Sequence, residues 1–168
     1  MGSELVIIRS ARANDAPALA AIHEQAWRST YQGIIPHLHL ERMLARRGPR
    51  WWQMQIERGS QLKLLVFDGA PEGYVSYGRA RGPWPWAAGE IFELYMTPPF
   101  QGVGLGKRLF TAARRSLQSE NLHRLVVWAL EENQNACAFY ARLGGRVAAK
   151  APEQFGSVSL GRIAFLWN

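Results

Sequence analysis

Residues 101–107 read QGVGLGK, so three glycines stand within one short loop. The apolar residues Leu105, Leu109, Ala113 and Leu117 recur at helical spacing, and they predict a helix that begins in this loop. Backbone N–H groups in the first turn of a helix have no partner within it, and the helix dipole adds partial positive charge. Because glycine lets an anion approach the backbone closely, the loop can hold a phosphate group.

Two other phosphate-binding motifs fail on particular residues of this loop. A dinucleotide fingerprint counted from Gly102 requires glycine where the chain has Lys107, and it would open the fold instead of following three strands. A Walker A loop that ends in Gly106 and Lys107 requires glycine in place of Gln101 and serine or threonine in place of Arg108. Neither kind of nucleotide site is expected here.

The segments around the loop predict a mixed sheet. Upstream, residues 62–67 and 74–77 read as two strands joined by turn residues, and residues 90–96 read as a third strand that Pro98 and Pro99 end. Downstream, residues 124–130 form a nearly continuous apolar run, so that strand, loop, helix and strand make a βαβ-like unit.

The rest of the chain adds the outer elements of one domain, residues 1–168. It predicts a first strand at 5–9, two helical stretches before residue 61, a short helix at 135–143, and strands at 146–150 and 162–167. The order βααβββαβαββ belongs to the α/β (α+β) class. It implies a mixed central sheet of about seven strands with about four helices packed on it.

Composition and charge limit the function classes. The longest apolar runs, such as residues 125–130, are far shorter than a membrane span of about 20 residues, and residues 1–9 lack the long apolar region of a secretory signal. We therefore expect a cytoplasmic protein with no membrane partner. The net charge of +7 favours anionic ligands. Its lysines and arginines are dispersed, without a recognition motif, so a nucleic-acid partner is not expected.

The glycine loop and the strand before it together form a more specific motif than the loop alone. Gln101-x-x-Gly104-x-Gly106 resembles the Gln/Arg-x-x-Gly-x-Gly/Ala signature of the GNAT superfamily of N-acetyltransferases, and it follows a strand that ends at residues 94–96, as in that family. The resemblance implies the GNAT fold, acetyl-CoA as co-substrate, a pyrophosphate on the loop and a pantetheine arm beside the strand. The cofactor-binding residues that it implies are Leu94, Tyr95, Met96, Gln101, Gly102, Val103, Gly104, Leu105, Gly106, Lys107, Asn133 and Tyr140.

A second segment, residues 128–145, resembles the family's other CoA-binding region, with Asn133 seven residues before Tyr140. The resemblance implies that Tyr140 protonates the departing thiolate; the alternative is a buried aromatic partner of Phe139. Asn133 would contact CoA or the loop, or act only as a helix cap. Gly145 departs from the family, which usually has phenylalanine there, and its presence implies the loss of a core anchor.

An amine must lose a proton before or during its attack on a thioester, so a base is needed. Glu90 and Glu93 are the candidates. They are an odd number of strand positions apart, which predicts opposite faces, so at most one should line the site. Glu90 lies four residues before Leu94, where histone acetyltransferases of the superfamily keep their catalytic glutamate. Both candidates stay open.

The acceptor side is less defined by the sequence. Residues 27–36 resemble a segment of bacterial family members that acetylate polyamines or other small amines, which implies substrate contacts from Trp27 and Tyr31. Trp84 and Trp86 could form a rim of the acceptor pocket, a dimer contact or loop packing. The four histidines have no metal-ligand spacing with carboxylates, so no metal is expected.

Together these features predict transfer of an acetyl group from acetyl-CoA to a primary amine by direct attack in a ternary complex. The expected acceptor is a small molecule. The alternatives are acetylation of a protein or peptide amine and a non-catalytic domain that binds or senses acyl-CoA. A homodimer, common in the family, is left open.

Overall fold

The computed structural model describes residues 5–168, so Met1 to Glu4, on which part of the secretory-signal argument rests, lie outside the described residues. Short 3-10 turns precede the first and fourth helices. The strands and helices in chain order are β1 Val6–Ser10, α1 Ala16–Tyr31, α2 His37–Arg46, α3 Pro49–Glu57, β2 Gln61–Phe67, β3 Ala70–Arg79, β4 Gly89–Met96, α4 Leu105–Ser119, β5 Leu125–Leu130, α5 Gln134–Arg142, β6 Arg146–Phe155 and β7 Val158–Trp167.

The seven strands form one sheet in the order β1-β2-β3-β4-β5-β7-β6, which confirms the predicted mixed sheet. Every neighbouring pair is antiparallel except β4 and β5, which the α4 crossover makes parallel. The described chain has five α-helices where about four were predicted, because Gly48 and Pro49 divide one helical stretch into α2 and α3. Proline fits the first turn of α3, where its missing N–H would have had no helical partner. Within residues 5–168, no helix combines the length and apolar character that crossing a bilayer requires.

Each face of the sheet carries its own core. On one face α4 packs through Leu109, Ala113 and Leu117, which are completely buried, and α5 contributes Tyr140. On the other face α1 and α3 pack against β2 and β3, with Leu19 and Trp52 among the most buried side chains. Burial of such side chains is worth about 1.5 to 3 kcal/mol each, so the two layers hold the sheet rigidly between them.

The parallel pair β4 and β5 is joined only at its start. Residues Gly89–Ile91 pair with Leu125–Val127, and beyond them the two strands separate. Residues 93–96 of β4 stay paired with β3, and residues 128–130 of β5 stay paired with β7. The sheet is therefore split in its middle, and the split opens toward the loop that begins α4.

Strand β4 also contains a bulge. Glu93 pairs with Ser76 and Ile91 pairs with Tyr77, so Phe92 is an extra residue without a partner on β3. An extra residue shifts the alternation of side chains by one position. The side chains of residues 93–96 therefore point to the face of the sheet opposite to the one that simple alternation from residue 91 predicts.

The space left by Gly145 is filled from the last strand. A Cβ atom at Gly145 would lie 2.6 Å from the ring of Trp167. That indole packs 5.0 Å from Phe110 and 6.0 Å from Tyr140 between ring centroids, and its Nε1–H donates to the Leu143 carbonyl at 3.0 Å. The predicted loss of a core anchor at this position was wrong, because Trp167 supplies the aromatic ring.

Candidate active site

The glycine loop owes its shape to backbone conformations that other residues rarely adopt. Gly102 has φ +74° and Gly104, the N-cap of α4, has φ +84°, while a Cβ atom at either position would meet nothing within 4 Å. The requirement for glycine is thus conformational, since L side chains disfavour this left-handed region. The turn aims the first N–H groups of α4 out of the helix.

Two contacts fix the loop to its surroundings. The side-chain amide of Gln101 donates to the Met96 carbonyl at 2.9 Å, which ties the loop to the end of β4. A Cβ atom at Gly106 would lie 3.4 Å from the Phe139 ring, so the small residue lets α5 approach the start of α4. Both residues therefore position the loop. The side-chain amide of Gln101 does so through its hydrogen bond to the Met96 carbonyl.

The loop offers the donors that an anion needs. Among the described turn and loop contacts, none uses the backbone N–H groups of residues 102–106, and the loop is largely exposed. Lys107 is exposed beside it, whereas the Leu105 side chain is buried, so Leu105 can offer only its backbone. Free N–H groups, the helix dipole and a lysine together favour a phosphate at this point.

The split in the sheet offers a second set of backbone groups. On its β5 side, β4 has no described strand partner between residues 92 and 96. An extended chain placed in the split can pair with this edge as an added strand does. Leu94, Tyr95 and Met96, the predicted strand contacts of the cofactor, lie along this edge.

Asn133 and Tyr140 lie on the segment that follows β5. The Asn133 side chain accepts from the Ala136 N–H at 3.2 Å, so the capping role is present. Tyr140 is 5% exposed and packs among Phe110, Phe139 and Phe165. Burial, with a smaller contribution from Tyr31, raises the pKa of the Tyr140 phenol far above its ordinary value. The phenol therefore keeps its proton.

A cavity of about 510 Å³ lies on the other side of β4. Aromatic and charged side chains dominate its wall. Its lining includes Trp27, Tyr31, Ile35, Met43, Arg47, Trp51, Tyr77, Arg81, Glu90, Phe92, Glu93, Tyr95, Trp128, Leu130, Glu153, Phe155 and Arg162. A cavity of this volume is in the range of small-molecule sites.

Both candidate bases line this cavity, which corrects the prediction that at most one would. Glu93 pairs with Ser76 and Glu90 pairs with Gly78, and residues 76 and 78 of β3 share a face. The bulge at Phe92 supplies the extra position that brings the two glutamates to one side. A bulge has no reliable signal in a single sequence, so the alternation argument failed for this reason.

The two glutamates have different surroundings. Glu93 is 13% exposed, and its carboxylate accepts from Arg47 at 2.6 Å. Burial raises the pKa of Glu93, and Arg47 opposes that rise. Glu90 accepts from the backbone N–H of Arg81 at 3.0 Å and from its guanidinium at 3.1 Å. It lies beside the closed end of the split, where β4 and β5 are still paired.

The predicted substrate residues Trp27 and Tyr31 both line the cavity. The hydroxyl groups of Tyr31 and Tyr95 are 2.6 Å apart, and burial raises the pKa of both phenols. Tyr95 thus has two sides: its backbone borders the split, while its side chain belongs to the cavity. The sequence predicts Tyr95 only as a cofactor contact.

Several cavity residues were missed by the sequence analysis. Trp128, Glu153 and Arg162 come from three different strands and Arg47 from the turn after α2, and only the folded sheet brings them to one wall. Trp84, predicted with Trp86 as a rim of the acceptor pocket, a dimer contact or loop packing, packs against Trp128 of this wall, with ring centroids 5.5 Å apart.

Comparisons with known proteins agree with this geometry. The chain is 26% identical over 146 residues to the uncharacterized N-acetyltransferase YuaI of Bacillus subtilis (strain 168), covering 86% of this chain and 83% of YuaI. It is 30% identical over 131 residues to a mycothiol acetyltransferase of Paenarthrobacter aurescens, covering 72% of this chain but only 38% of that longer protein.

The fold has solved counterparts. The PaiA N-acetyltransferase of Thermoplasma acidophilum, solved in complex with coenzyme A, superimposes with a TM-score of 0.76 at 18% identity, covering 94% of this chain and 97% of that one. The sequence profile of the acetyltransferase (GNAT) family matches residues 18–145. With this match across most of its length, on a fold that carries the glycine loop and the split sheet, the chain belongs to the acetyltransferase (GNAT) family.

Proposed function

We propose that residues 1–168 act as a single N-acetyltransferase domain that moves the acetyl group of acetyl-CoA to a primary amine of a small molecule. The observation that carries this proposal is the position of β4. One edge of β4 borders the split that leads to the glycine loop, and the Glu93 side chain on the same strand lines the cavity. A donor in the split and an acceptor in the cavity would meet at this strand.

The donor side fits acetyl-CoA. Residues 102–106 would bind the pyrophosphate through backbone N–H groups, with Lys107 adding charge, and the edge of β4 would pair with the pantetheine arm. Acetyl-CoA supplies a thioester, whose acyl carbon accepts an amine. Backbone N–H groups near Leu94 or Met96 would then stabilise negative charge on the carbonyl oxygen.

Glu93 is our candidate for the base. It lies beyond the closed end of the split, it faces the cavity, and its raised pKa brings it closer to that of an effective base at neutral pH. Arg47 holds the carboxylate in place. Glu90, held by the backbone and side chain of Arg81, would instead stiffen the paired end of β4.

Tyr140 is our candidate for the proton donor to sulfur. Its phenol stays protonated because burial raises its pKa. With Glu93 taking a proton from the amine and Tyr140 giving one to the thiolate, transfer would take place directly in a ternary complex.

A small acceptor fits the size of the cavity, and the relative named as a mycothiol acetyltransferase supports that class over a protein amine. The first experiment is thermal unfolding with and without acetyl-CoA, followed by thiol release with a panel of primary amines. Acetyl-CoA at ~100 times its Kd would stabilise the protein by about 2.7 kcal/mol, which is a rise in Tm of roughly 5 to 10 °C.

ATP and NAD serve as controls and should leave the Tm unchanged. Thiol release that depends on both an amine and acetyl-CoA would support the transferase. A rise in Tm without release under any amine would favour the acyl-CoA-binding or sensing alternative. No rise at saturating acetyl-CoA would contradict the donor site itself.

A further inference from the structure

The charged side chains on the cavity wall are not all paired with one another within the described residues. Arg47 is paired with Glu93 and Arg81 with Glu90. Arg162 also lines the cavity, yet it forms no ion pair among residues 5–168. Glutamates of the protein thus pair with two of the three cavity arginines, whereas Arg162 has no ion-pair partner among residues 5–168.

Arg162 is held in a fixed place. It pairs with Leu130 of β5 through the sheet, and its guanidinium carbon lies 4.2 Å from the ring centroid of Trp128, within the range of a cation–π contact. Trp84 also packs against Trp128, with ring centroids 5.5 Å apart. An arginine stacked in this way loses little freedom when a ligand binds its edge, because its plane is already oriented.

One donor of this guanidinium is left without a partner. Its Nε atom is buried and has no hydrogen-bond partner in the described part of the chain. Buried polar groups are almost always hydrogen-bonded, and those that are not call for a ligand or water. The terminal N–H groups of the guanidinium are not among the buried unpartnered atoms, so they are the ones that a carboxylate or phosphate in the cavity can contact.

Glu153 is the acid of the protein that could compete for this role. It lines the same cavity, but it is exposed, and it lies beyond ion-pair distance from Arg162. Glu131, whose carboxylate lies beside Gly161, is paired with Lys150 at 3.3 Å. The protein therefore leaves the guanidinium available on the cavity side.

We propose that the acceptor amine carries an anionic oxygen group, a carboxylate or a phosphate-like group, that binds Arg162 against Trp128. This deepens the proposed function and rests on it, because it places the acceptor in the cavity with its amine toward Glu93. The substrate class is then an amino acid or another amine with an acidic group, and not a simple alkylamine or polyamine.

The experiment compares primary amines in matched pairs, with and without an acid. Phenylalanine is set against phenethylamine, 4-(aminomethyl)benzoate against benzylamine, and 6-aminohexanoate against hexylamine, so that the spacing between amine and acid varies. The phosphonate isostere of phenylalanine separates a carboxylate from a phosphate-like group. Both kcat/KM for acetylation and the Kd from thermal shift in the presence of CoA are measured.

We expect the acid to be preferred at least tenfold in one or more pairs. Arg162→Gln should reduce that ratio to about one, and Arg162→Lys should restore part of it through charge alone. Trp128→Leu should weaken the preference by removing the stacking surface. Arg146→Gln, an exposed arginine of β6, is the matched control and should leave the ratio unchanged.

Equal use or equal binding of both members in every pair would overturn the proposal, and so would a preference that survives Arg162→Gln. A rise in the KM of acetyl-CoA in Arg162→Gln, without any change in the acid ratio, would overturn it by placing the guanidinium at the donor. The Tm rise with acetyl-CoA, measured on the same samples, shows separately whether the variants are folded and whether the donor site is correct.

Discussion

The glycine loop and the acceptor cavity face β4 from opposite sides, and they are built in opposite ways. The loop is one continuous stretch whose groups for binding are backbone N–H donors, with glycine required for the conformation of Gly102 and Gly104. The cavity is lined by side chains from α1, α2, α3 and six of the strands. The backbone groups that would bind the donor are thus set by one short stretch of sequence. The cavity, in contrast, exists only after the sheet has formed.

This difference predicts different responses to mutation. In the loop, a substitution that changes the backbone conformation should abolish donor binding, whatever the chemical nature of the new side chain. In the cavity, a change of one side chain should alter catalysis or specificity and leave donor binding intact. The following three predictions test that separation.

The largest effect is expected from Gly104→Val. A branched residue at φ +84° costs about 1 to 3 kcal/mol and redirects the N–H groups of the loop. We expect the rise in Tm with acetyl-CoA to disappear. Gly69→Val is the matched control, because Gly69 has the same φ of +84° and equally open surroundings in the β2–β3 turn. It should lose similar stability and keep the rise. Survival of the rise in Gly104→Val would show that the pyrophosphate lies elsewhere.

A smaller effect, a fall in kcat/KM of roughly 10²- to 10⁴-fold, is expected from Glu93→Gln, since a general base contributes about that much. The Tm rise with acetyl-CoA should be unchanged. The base must be deprotonated, so the rate should increase with pH through the raised pKa of Glu93. That acidic limb should therefore lie at higher pH than for an ordinary glutamate, and it should vanish in the variant.

Glu90→Gln is the control for this prediction. It should lower the rate far less and keep the acidic limb of the pH profile, because Glu90 is bound to Arg81 at the closed end of β4. The opposite pattern, with Glu90→Gln inactive and Glu93→Gln active, would assign the base to Glu90.

The smallest effect, a fall in kcat of about tenfold, is expected from Tyr140→Phe. A thiolate is a good leaving group, as the pKa of about 8.5 of a cysteine thiol illustrates, so its protonation helps without being essential. Because burial raises the pKa of Tyr140 far above its ordinary value, the phenol should add no alkaline limb to the pH profile up to about pH 10. Acetyl-CoA affinity should be unchanged. A wild-type rate across that pH range would leave Tyr140 with a packing role only.

The same contrast explains what the sequence could and could not predict. The loop at 101–107, the helix after it and the segment around Tyr140 were predicted within a residue or two, since each depends on local spacing. Strands β6 and β7 are longer than predicted. Residues 152–154 and 158–159 are exposed and carry no apolar alternation, so only pairing with each other makes them strands.

The site was predicted unevenly for the same reason. Trp27 and Tyr31 were found through a resemblance in one segment, whereas nothing local marks Arg47 as the partner of Glu93 or Arg162 as a neighbour of Trp128. These contacts join residues 46 and 34 positions apart, and their proximity depends on strand order and register.

The bulge at Phe92 has a consequence for comparing sequences across the family. The bulge shifts the alternation of side chains along β4 by one position. A relative that lacks one residue between positions 90 and 93 would therefore present a different side chain to the acceptor. An alignment without a gap there would match residues from opposite faces of the sheet. The identity of the catalytic base should thus be transferred between relatives by strand register and not by counting along the chain.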